Sequence, residues 1–264
     1  MNAESLLTLS DVTVTYPAPS PHLFGRKTTK TVVDKASFSI GTGETFGLIG
    51  ESGSGKSTIG RAILRLVPIR SGEITFNGER IDQYGSRTPL DYRRRVQCVY
   101  QDPLNSLNPR QSIEEAVDEA VKRHSTLSSR DRTARVKELF NDVGIAWHHS
   151  RKRPHQLSGG QQQRVAIARA LAPEPELIVC DEAVSALDVS TQSQVINLFE
   201  DIQAARGISY LFITHDMSVV RHISSRIAII QNGVILETGE TEDVFTAPKT
   251  DYTQSLLDAV PRLA

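Results

Sequence analysis

The sequence is poor in cysteine and in aromatic residues. Two of its 264 residues are cysteine, Cys98 and Cys180, and aromatic residues make up 6%. Neither cysteine has a metal-ligand spacing, and two cysteines give no disulfide framework, so the composition fits a reducing compartment best. No run reaches about 18 apolar residues, so we expect no membrane-spanning helix. The N-terminal segment MNAESLLTLSDVTV has neither a basic start nor a long apolar run, so we expect no signal peptide.

The sequence also lacks an excess of either charge. Thirty Lys and Arg residues face 31 Asp and Glu residues, which gives a formal net charge of −1. A neutral balance provides no basic field over the whole molecule, so we expect no nucleic-acid partner. Hydrophobic residues at 39% and charged residues at 23% are ordinary for a globular protein. The length allows one large domain or two modest ones.

Strand and helix patterns alternate along the chain. We predict strands over Leu6–Tyr16, Val32–Ile40 and Glu44–Ile49, then a helix over Lys56–Leu66 with apolar residues at helical spacing. Short strands follow at Glu73–Phe76 and Val96–Tyr100.

The pattern then becomes helical from Ser112 to Val143, with two apolar stripes. We interpret 103–157 as a small helical subdomain inserted within a single domain, 1–264.

The second half predicts a strand at Leu177–Cys180, a helix at about Ser190–Arg206 and a strand at Tyr210–Thr214. Asp216 is a predicted helix N-cap, and Asn232-Gly233 is a strong hairpin signal between apolar runs. Alternation of this kind favours an α/β fold with a largely parallel sheet covered by helices. Such sheets bind ligands at the carboxyl ends of their strands.

One segment fits the phosphate-loop pattern G-x-x-x-x-G-K-[ST]. It runs from Gly50 to Thr58 and lies between a predicted strand and a predicted helix. Glycines let successive N–H groups point at phosphate oxygens, and the helix N-terminus favours the same anion. Lys56 would reach the β- and γ-phosphates, and the Ser57 hydroxyl would ligate Mg²⁺. The candidate nucleotide-binding residues in this loop are Gly50, Ser52, Gly53, Ser54, Gly55, Lys56, Ser57 and Thr58; the alternative is an accidental Gly/Ser loop.

Two carboxylates follow the apolar strand Leu177–Cys180. Asp181 is placed to hold Mg²⁺, directly or through water, and Glu182 to orient or deprotonate an attacking water. A strand ending in a solvated acidic turn would give the same local pattern. The phosphate loop upstream favours the catalytic interpretation.

At Leu157, Ser158, Gly159, Gly160 and Gln161 the sequence resembles the signature of ABC-type ATPases, and the resemblance extends from about Leu6 to Pro261. It implies an α/β P-loop ATPase core with a mixed, mostly parallel sheet, an N-terminal antiparallel β subdomain and the inserted helical subdomain. It also implies ATP as substrate and Mg²⁺ as cofactor.

The resemblance assigns further roles residue by residue. Tyr16 matches the aromatic that stacks on adenine, Gln101 the glutamine that binds the metal and links it to the helical subdomain, and His215 the switch histidine. Taken alone, each has an ordinary alternative: core filler, a polar residue after a strand, or a helix cap. The catalytic set is then Glu182, His215 and Gln101, and the metal ligands are Ser57, Gln101 and Asp181.

The signature precedes a predicted helix from Gln161 to Leu171, which would be a second anion-binding helix N-terminus. One nucleotide does not need two such sites in one chain, so we expect a dimer in which the signature closes on the partner's γ-phosphate; a mere tight turn is the alternative. The loop that crosses to the partner is assigned to Ser185, Ala186, Leu187 and Asp188.

Three stretches, 101–110, 180–190 and 252–261, resemble the oligopeptide, dipeptide and nickel importer branch, as does the loop near His22. The chain lacks the cysteine-bearing tail of many members, so we expect no iron–sulfur cluster. This resemblance implies the ATPase of a binding-protein-dependent importer, on the cytoplasmic face of the inner or plasma membrane. Its partners would be two transmembrane permease subunits, a second ATPase chain, identical or different, and indirectly a solute-binding protein.

Three alternatives stay open. The importer could serve nickel or another small solute instead of peptides. The chain could be a soluble ABC ATPase outside transport, acting on DNA or ribosomes. It could also be a regulatory cassette that binds ATP without hydrolysing it, although Glu182 and His215 argue against this.

Overall fold

The computed structural model describes residues 5–18, 28–85 and 87–259. The predicted loop near His22 and the last residues of the stretch 252–261 lie outside this range.

The described residues form ten strands and ten α-helices, with short 3₁₀ turns at Ile81–Gln83, Trp147–His149 and Pro154–Gln156. The strands are β1 (Ser5–Ala18), β2 (Thr28–Gly41), β3 (Thr45–Ile49), β4 (Ser71–Phe76), β5 (Glu79–Arg80), β6 (Val96–Tyr100), β7 (Leu177–Asp181), β8 (Ser209–Thr214), β9 (Arg226–Gln231) and β10 (Val234–Glu240). The helices are α1 (Lys56–Ile63), α2 (Leu90–Arg95), α3 (Pro103–Ser106), α4 (Ile113–His124), α5 (Ser129–Asp142), α6 (Gly159–Leu171), α7 (Val189–Arg206), α8 (Met217–Ile223), α9 (Thr241–Thr246) and α10 (Asp251–Asp258).

The chain divides into two compact units. Unit 1 comprises residues 1–88 and 211–264, and unit 2 comprises residues 89–210. The single domain over 1–264 with an insertion at 103–157 therefore stays a prediction. Among the described residues, none of the helices is long and apolar enough to cross a bilayer.

Unit 1 contains an antiparallel sheet of order β2-β1-β4-β5. It also contains, from a second sheet, strands β10, β9 and β3 and residues 211–214 of β8. β3 pairs with β9 in parallel, whereas β9 and β10 are antiparallel. Phe38 of β2 stacks on Phe46 of β3 with ring centroids 4.9 Å apart, which joins the two sheets through their apolar faces. The mixed sheet and the N-terminal antiparallel sheet agree with the expected fold.

The β9–β10 hairpin forms at the predicted position. Asn232 and Gly233 both adopt left-handed backbone conformations, with φ of 50° and 85°. Two left-handed residues make the tight turn whose twist matches that of paired strands. Asp216 likewise caps α8, accepting hydrogen bonds from the Ser218 and Val219 amides.

Unit 2 combines the parallel pair β6–β7 with helices α2 to α7. Both predicted apolar stripes are buried: Val117 and Val121 on α4, and Val136, Leu139 and Phe140 on α5. Ser112 and Glu115 form a capping box that starts α4, and Ser128 caps α5. The helical pattern at 112–143 is therefore two helices packed through their apolar faces.

Two helix boundaries differ from the prediction. α1 ends at Ile63 instead of Leu66, because Arg65 turns left-handed at φ 59° and leaves Leu66 61% exposed. α6 begins at Gly159 instead of Gln161, because Ser158 is its N-cap. Gly159 and Gly160 are thus the first helical residues and do not form a loop before the helix.

Candidate functional site

The phosphate loop connects buried strand β3 to helix α1 in unit 1. Gly53 and Gly55 have φ of 81° and 109°, in the left-handed region that side chains disfavour. Gly55 is the N-cap of α1, and in the described part of the chain no side chain caps this helix. The first backbone amides of α1 are therefore not capped by a side chain, which is the arrangement that binds an anion at a helix N-terminus.

The loop is also held against neighbouring backbone. A Cβ on Gly50 would lie 2.1 Å from the Ile230 carbonyl oxygen, and one on Gly55 would lie 2.8 Å from that of Val32. The hairpin turn supports the other side, since the Gly233 amide donates to the Ser54 carbonyl at 2.8 Å. These approaches explain why glycine is required at both ends of the loop.

Lys56 is 4% exposed and folds back over the loop. Its Nζ donates to the Gly50 carbonyl at 2.6 Å and to the Glu51 carbonyl at 2.8 Å. The Ser54 hydroxyl is buried and has no hydrogen-bond partner among the described residues. A buried ammonium and an unpaired buried hydroxyl on a curled loop form a cradle suited to phosphate oxygens.

Unit 1 also contains Tyr16 and His215. Tyr16 is half-buried on β1, two residues beyond Val14. Val14 pairs with Val33 of β2, and Val33 Cγ2 lies 3.4 Å from the position that a Cβ would take on Gly55. His215 is exposed and follows the last residue of β8, which neighbours β3 in the sheet. Both residues therefore lie in the same unit as the phosphate loop, and their roles stay predictions.

The two carboxylates lie at the end of β7 in unit 2. Asp181 is its last residue, and Glu182 adopts a left-handed conformation at φ 52°. A non-glycine residue held in this region is strained, and such strain concentrates at functional positions. The Ser185 hydroxyl and amide both donate to the Glu182 carbonyl, at 3.0 and 3.1 Å, and so fix the turn.

Gln101 lies beside this turn. β6 and β7 are parallel with Tyr100 opposite Asp181, so Gln101 and Glu182 each come one residue after the paired strand ends. The structure thus brings together Asp181, Glu182 and Gln101 within unit 2. Ser57, the third predicted metal ligand, belongs to unit 1, so the complete metal site stays a prediction.

The signature segment starts α6. The Ser158 hydroxyl accepts from the Gln161 amide at 3.3 Å, and Gln161 Oε1 accepts from the Ser158 amide at 3.2 Å. This reciprocal pair is a capping box. Gly160 is required by packing, because a Cβ there would lie 2.3 Å from Thr191 Cγ2 of α7. Leu157 is almost fully buried.

The predicted dimer loop, Ser185–Asp188, joins the Glu182 turn to α7. Asp188 is the N-cap of α7, accepting from the Thr191 amide at 3.0 Å and its hydroxyl at 2.7 Å. The next residue, Val189, is 79% exposed. A Cβ on Gly159 would lie 3.6 Å from Leu187 Cδ2, so the signature and the dimer loop lie side by side within unit 2.

Sequence reasoning missed one contact of the phosphate loop. The Glu51 amide donates to the Tyr252 hydroxyl of α10 at 3.1 Å. Tyr252 is the first residue of the stretch 252–261, whose resemblance to one importer branch was noted above. That resemblance did not assign a function to Tyr252.

The comparisons with known proteins agree with this arrangement. The ABC transporter family matches residues 33–185. The oligopeptide transport ATP-binding protein OppF of Streptococcus mutans is 44% identical over 98% of this chain and 83% of its own length. The glutathione import ATP-binding protein GsiA of Escherichia coli K12 is 47% identical over 99% of this chain, which spans 42% of that relative's length.

Solved structures show the same fold. CbiO1 from Clostridium perfringens, described as part of the ABC transporter complex CbiONQ, superposes with a TM-score of 0.80 at 27% identity, covering 92% of each chain. The cassette MJ0796, in a dimeric post-hydrolysis state bound to ADP and Pi, gives 0.78 at 28% identity, covering 89% of this chain and 98% of that one. The chain therefore belongs to the ABC transporter family, in which it is an ATP-binding and ATP-hydrolysing cassette.

Proposed function

We propose that this chain is the ATP-hydrolysing subunit of a binding-protein-dependent importer of short peptides. The observation that supports nucleotide binding is the phosphate cradle, with buried Lys56 and the unpaired Ser54 hydroxyl. The import role rests on the relatives described as oligopeptide transport and glutathione import ATP-binding proteins. Both solutes are short peptides, which favours this class over nickel.

The proposed chemistry is attack of water on the γ-phosphorus of ATP. The Glu182 carboxylate orients the water and takes its proton while the bond to the β-phosphate oxygen breaks and ADP leaves. Lys56 releases the Gly50 and Glu51 carbonyls and turns to the β- and γ-phosphates. His215 donates to the γ-phosphate, and Tyr16 stacks on the adenine.

Magnesium fits the predicted donor set. Ser57, Gln101 and Asp181 offer hydroxyl, amide and carboxylate oxygens, the hard ligands that Mg²⁺ prefers. Among the described residues there is no cluster of three or more His, Cys, Asp or Glu side chains able to hold a metal. With three protein donors proposed, the nucleotide's phosphates would supply further oxygen ligands. When bound, the ion would neutralise charge on the β- and γ-phosphates.

Dimerisation is the second part of the proposal. The signature and the dimer loop lie side by side within unit 2, so a second ATPase chain could contact both at once. The related cassette MJ0796 is described as dimeric. We propose that ATP closes two chains head to tail and that hydrolysis lets them open.

Docking of two permease subunits is the third part. Unit 2 has a cavity of about 450 Å³ between β6 and helices α4 and α6. Its lining includes the exposed Leu90 together with Gln97, Arg123 and Arg169. A cavity lined by both apolar residues and arginines would suit a short membrane-protein loop at the cytoplasmic face, which is where we propose the chain works.

The test is purification of the tagged chain from its native membrane. We expect two polytopic membrane proteins and a second ATPase chain, and ATP hydrolysis that rises when a peptide-loaded binding protein is added. Stimulation by a nickel-loaded binding protein instead would favour the nickel importer. Retention on DNA or ribosomes at physiological salt, without membrane subunits, would contradict the proposal.

A further inference from the structure

The last described helix contacts the phosphate loop. The Tyr252 hydroxyl on α10 accepts the Glu51 amide at 3.1 Å, joining residues 201 positions apart within unit 1. Glu51 follows the first glycine of the loop, where the chain leaves β3. The contact therefore acts at the entry of the loop and not at its phosphate-facing end.

A buried carboxylate fixes α10 in this position. Glu237 of β10 is 6% exposed, and its carboxylate accepts the Lys249 amide at 3.1 and 3.2 Å and the Thr253 hydroxyl at 2.7 Å. Thr253 is fully buried, and Thr250 caps the helix. Lys249, three residues before Tyr252, and Thr253, directly after it, are thus both tied to β10.

The Tyr252 ring is held by apolar packing as well. It lies with Leu256 and Phe245 against a buried cluster that includes Ile49, the last residue of β3. Burial raises the pKa of the Tyr252 phenol above its ordinary value. The ring is therefore positioned by packing, and its hydroxyl meets the Glu51 amide at 3.1 Å.

Glu51 is restrained on both sides. Its amide is bound by Tyr252, and its carbonyl accepts Lys56 Nζ at 2.8 Å. When Lys56 turns to a nucleotide, the carbonyl loses that partner. We propose that Tyr252 is a positioning residue for the phosphate loop, which keeps the loop entry in place while Lys56 exchanges backbone carbonyls for phosphate oxygens.

The proposal predicts an effect on nucleotide affinity. Tyr252→Phe keeps the ring and its packing but removes the acceptor. We expect the Kd for ADP, measured by calorimetry on the full chain, and the KM for ATP, measured in the assembled complex, to rise about two- to fivefold. We expect kcat and the thermal midpoint to change little, which separates positioning from a general structural role.

One control and one further test use the same helix. Ser255 is exposed and its hydroxyl donates to the Tyr252 carbonyl, so Ser255→Ala should leave nucleotide affinity unchanged. Thr253→Val removes the hydrogen bond to Glu237 and should raise the Kd for ADP as Tyr252→Phe does. Thr253→Ser keeps a hydroxyl at this position and should leave the Kd close to that of the wild type. An unchanged Kd in Tyr252→Phe, or an equal rise in Ser255→Ala, would overturn the proposal.

The inference rests on the proposed phosphate site. Lys56→Ala distinguishes a failure of the phosphate site from a failure of the proposed role of Tyr252. If Lys56→Ala weakens ADP binding and Tyr252→Phe does not, the phosphate site stands and the role of Tyr252 is wrong. If Lys56→Ala leaves ADP binding intact, the phosphate site itself is wrong.

Discussion

Helices α1 and α6 both begin at glycine-rich segments, but their first turns are satisfied differently. α1 starts at left-handed Gly55 and has no side-chain cap in the described chain, whereas α6 starts with the Ser158–Gln161 capping box. The first is therefore built to use an anion as its cap. The second is stable without one. This difference fits the proposal that α1 binds the nucleotide within one chain and that α6 contacts a nucleotide only when a partner chain brings one.

The largest expected effect separates the chemical step from nucleotide binding. Glu182→Gln removes the proposed base while keeping shape and the left-handed turn. We expect turnover to fall by about 10²- to 10⁴-fold, with ATP affinity intact and a closed dimer trapped. Phosphate release and size-exclusion chromatography with ATP measure the two effects. Normal turnover would remove Glu182 from its role.

The next prediction tests whether α6 serves the partner's pocket. Ser158→Arg should lower turnover by about 10²-fold, in the range known for lost transition-state donors, with little change in this chain's ATP affinity. Ser158→Thr keeps the capping oxygen and should be nearly normal. Loss of ATP binding in Ser158→Arg would contradict the arrangement in trans.

A mixed dimer sharpens that test. One chain carries Ser158→Arg and the other Lys56→Ala. If pockets are completed in trans, one of the two pockets has both parts intact, and about half of the activity remains. If each chain completes its own pocket, both pockets are damaged and activity is lost.

A third prediction concerns packing at α6. In Gly160→Ala the new methyl would meet Thr191 Cγ2, so we expect a loss of about 1–3 kcal/mol in the free energy of unfolding. Gly159→Ala is the matched control, because its Cβ would make an ordinary contact with Leu187. Alanine is the better helix former, so this variant should be neutral or slightly stabilised. Urea unfolding compares the two, and equal losses would show that packing on α7 is not the reason for Gly160.

The same contrast shows how far sequence reasoning reaches. The phosphate loop, the β9–β10 hairpin and the cap at Asp216 depend on local chemistry, so short segments predicted them. The start of α6 was predicted at Gln161 because two adjacent glycines usually favour a loop. The capping box between Ser158 and Gln161 instead makes Gly159 and Gly160 the first residues of the helix. The end of α1 at Ile63 was missed because the Leu66 side chain fits the stripe but is exposed.

Contacts between distant residues were beyond prediction. Nothing local marks the Tyr252 hydroxyl as a partner of Glu51, or buried Glu237 as a partner of Thr253. Such pairs depend on how strands and helices pack, which the pattern of one sequence does not give.

The smallest expected effect compares the caps of α6 and α7. Hydrogen bonds from Thr191 lower the pKa of the Asp188 carboxyl, whereas the Ser158 cap does not titrate. A carboxyl whose pKa is lower in the folded than in the unfolded protein stabilises the fold at pH values above its unfolded pKa of about 4. This contribution is lost as the pH falls through the folded pKa. Asparagine also caps well, so Asp188→Asn should be close to wild type in urea unfolding at pH 7, with a small difference that shrinks below about pH 4. A difference that stays constant from pH 7 to pH 3, as expected for Ser158→Thr, would show that the charge of Asp188 adds nothing to its cap.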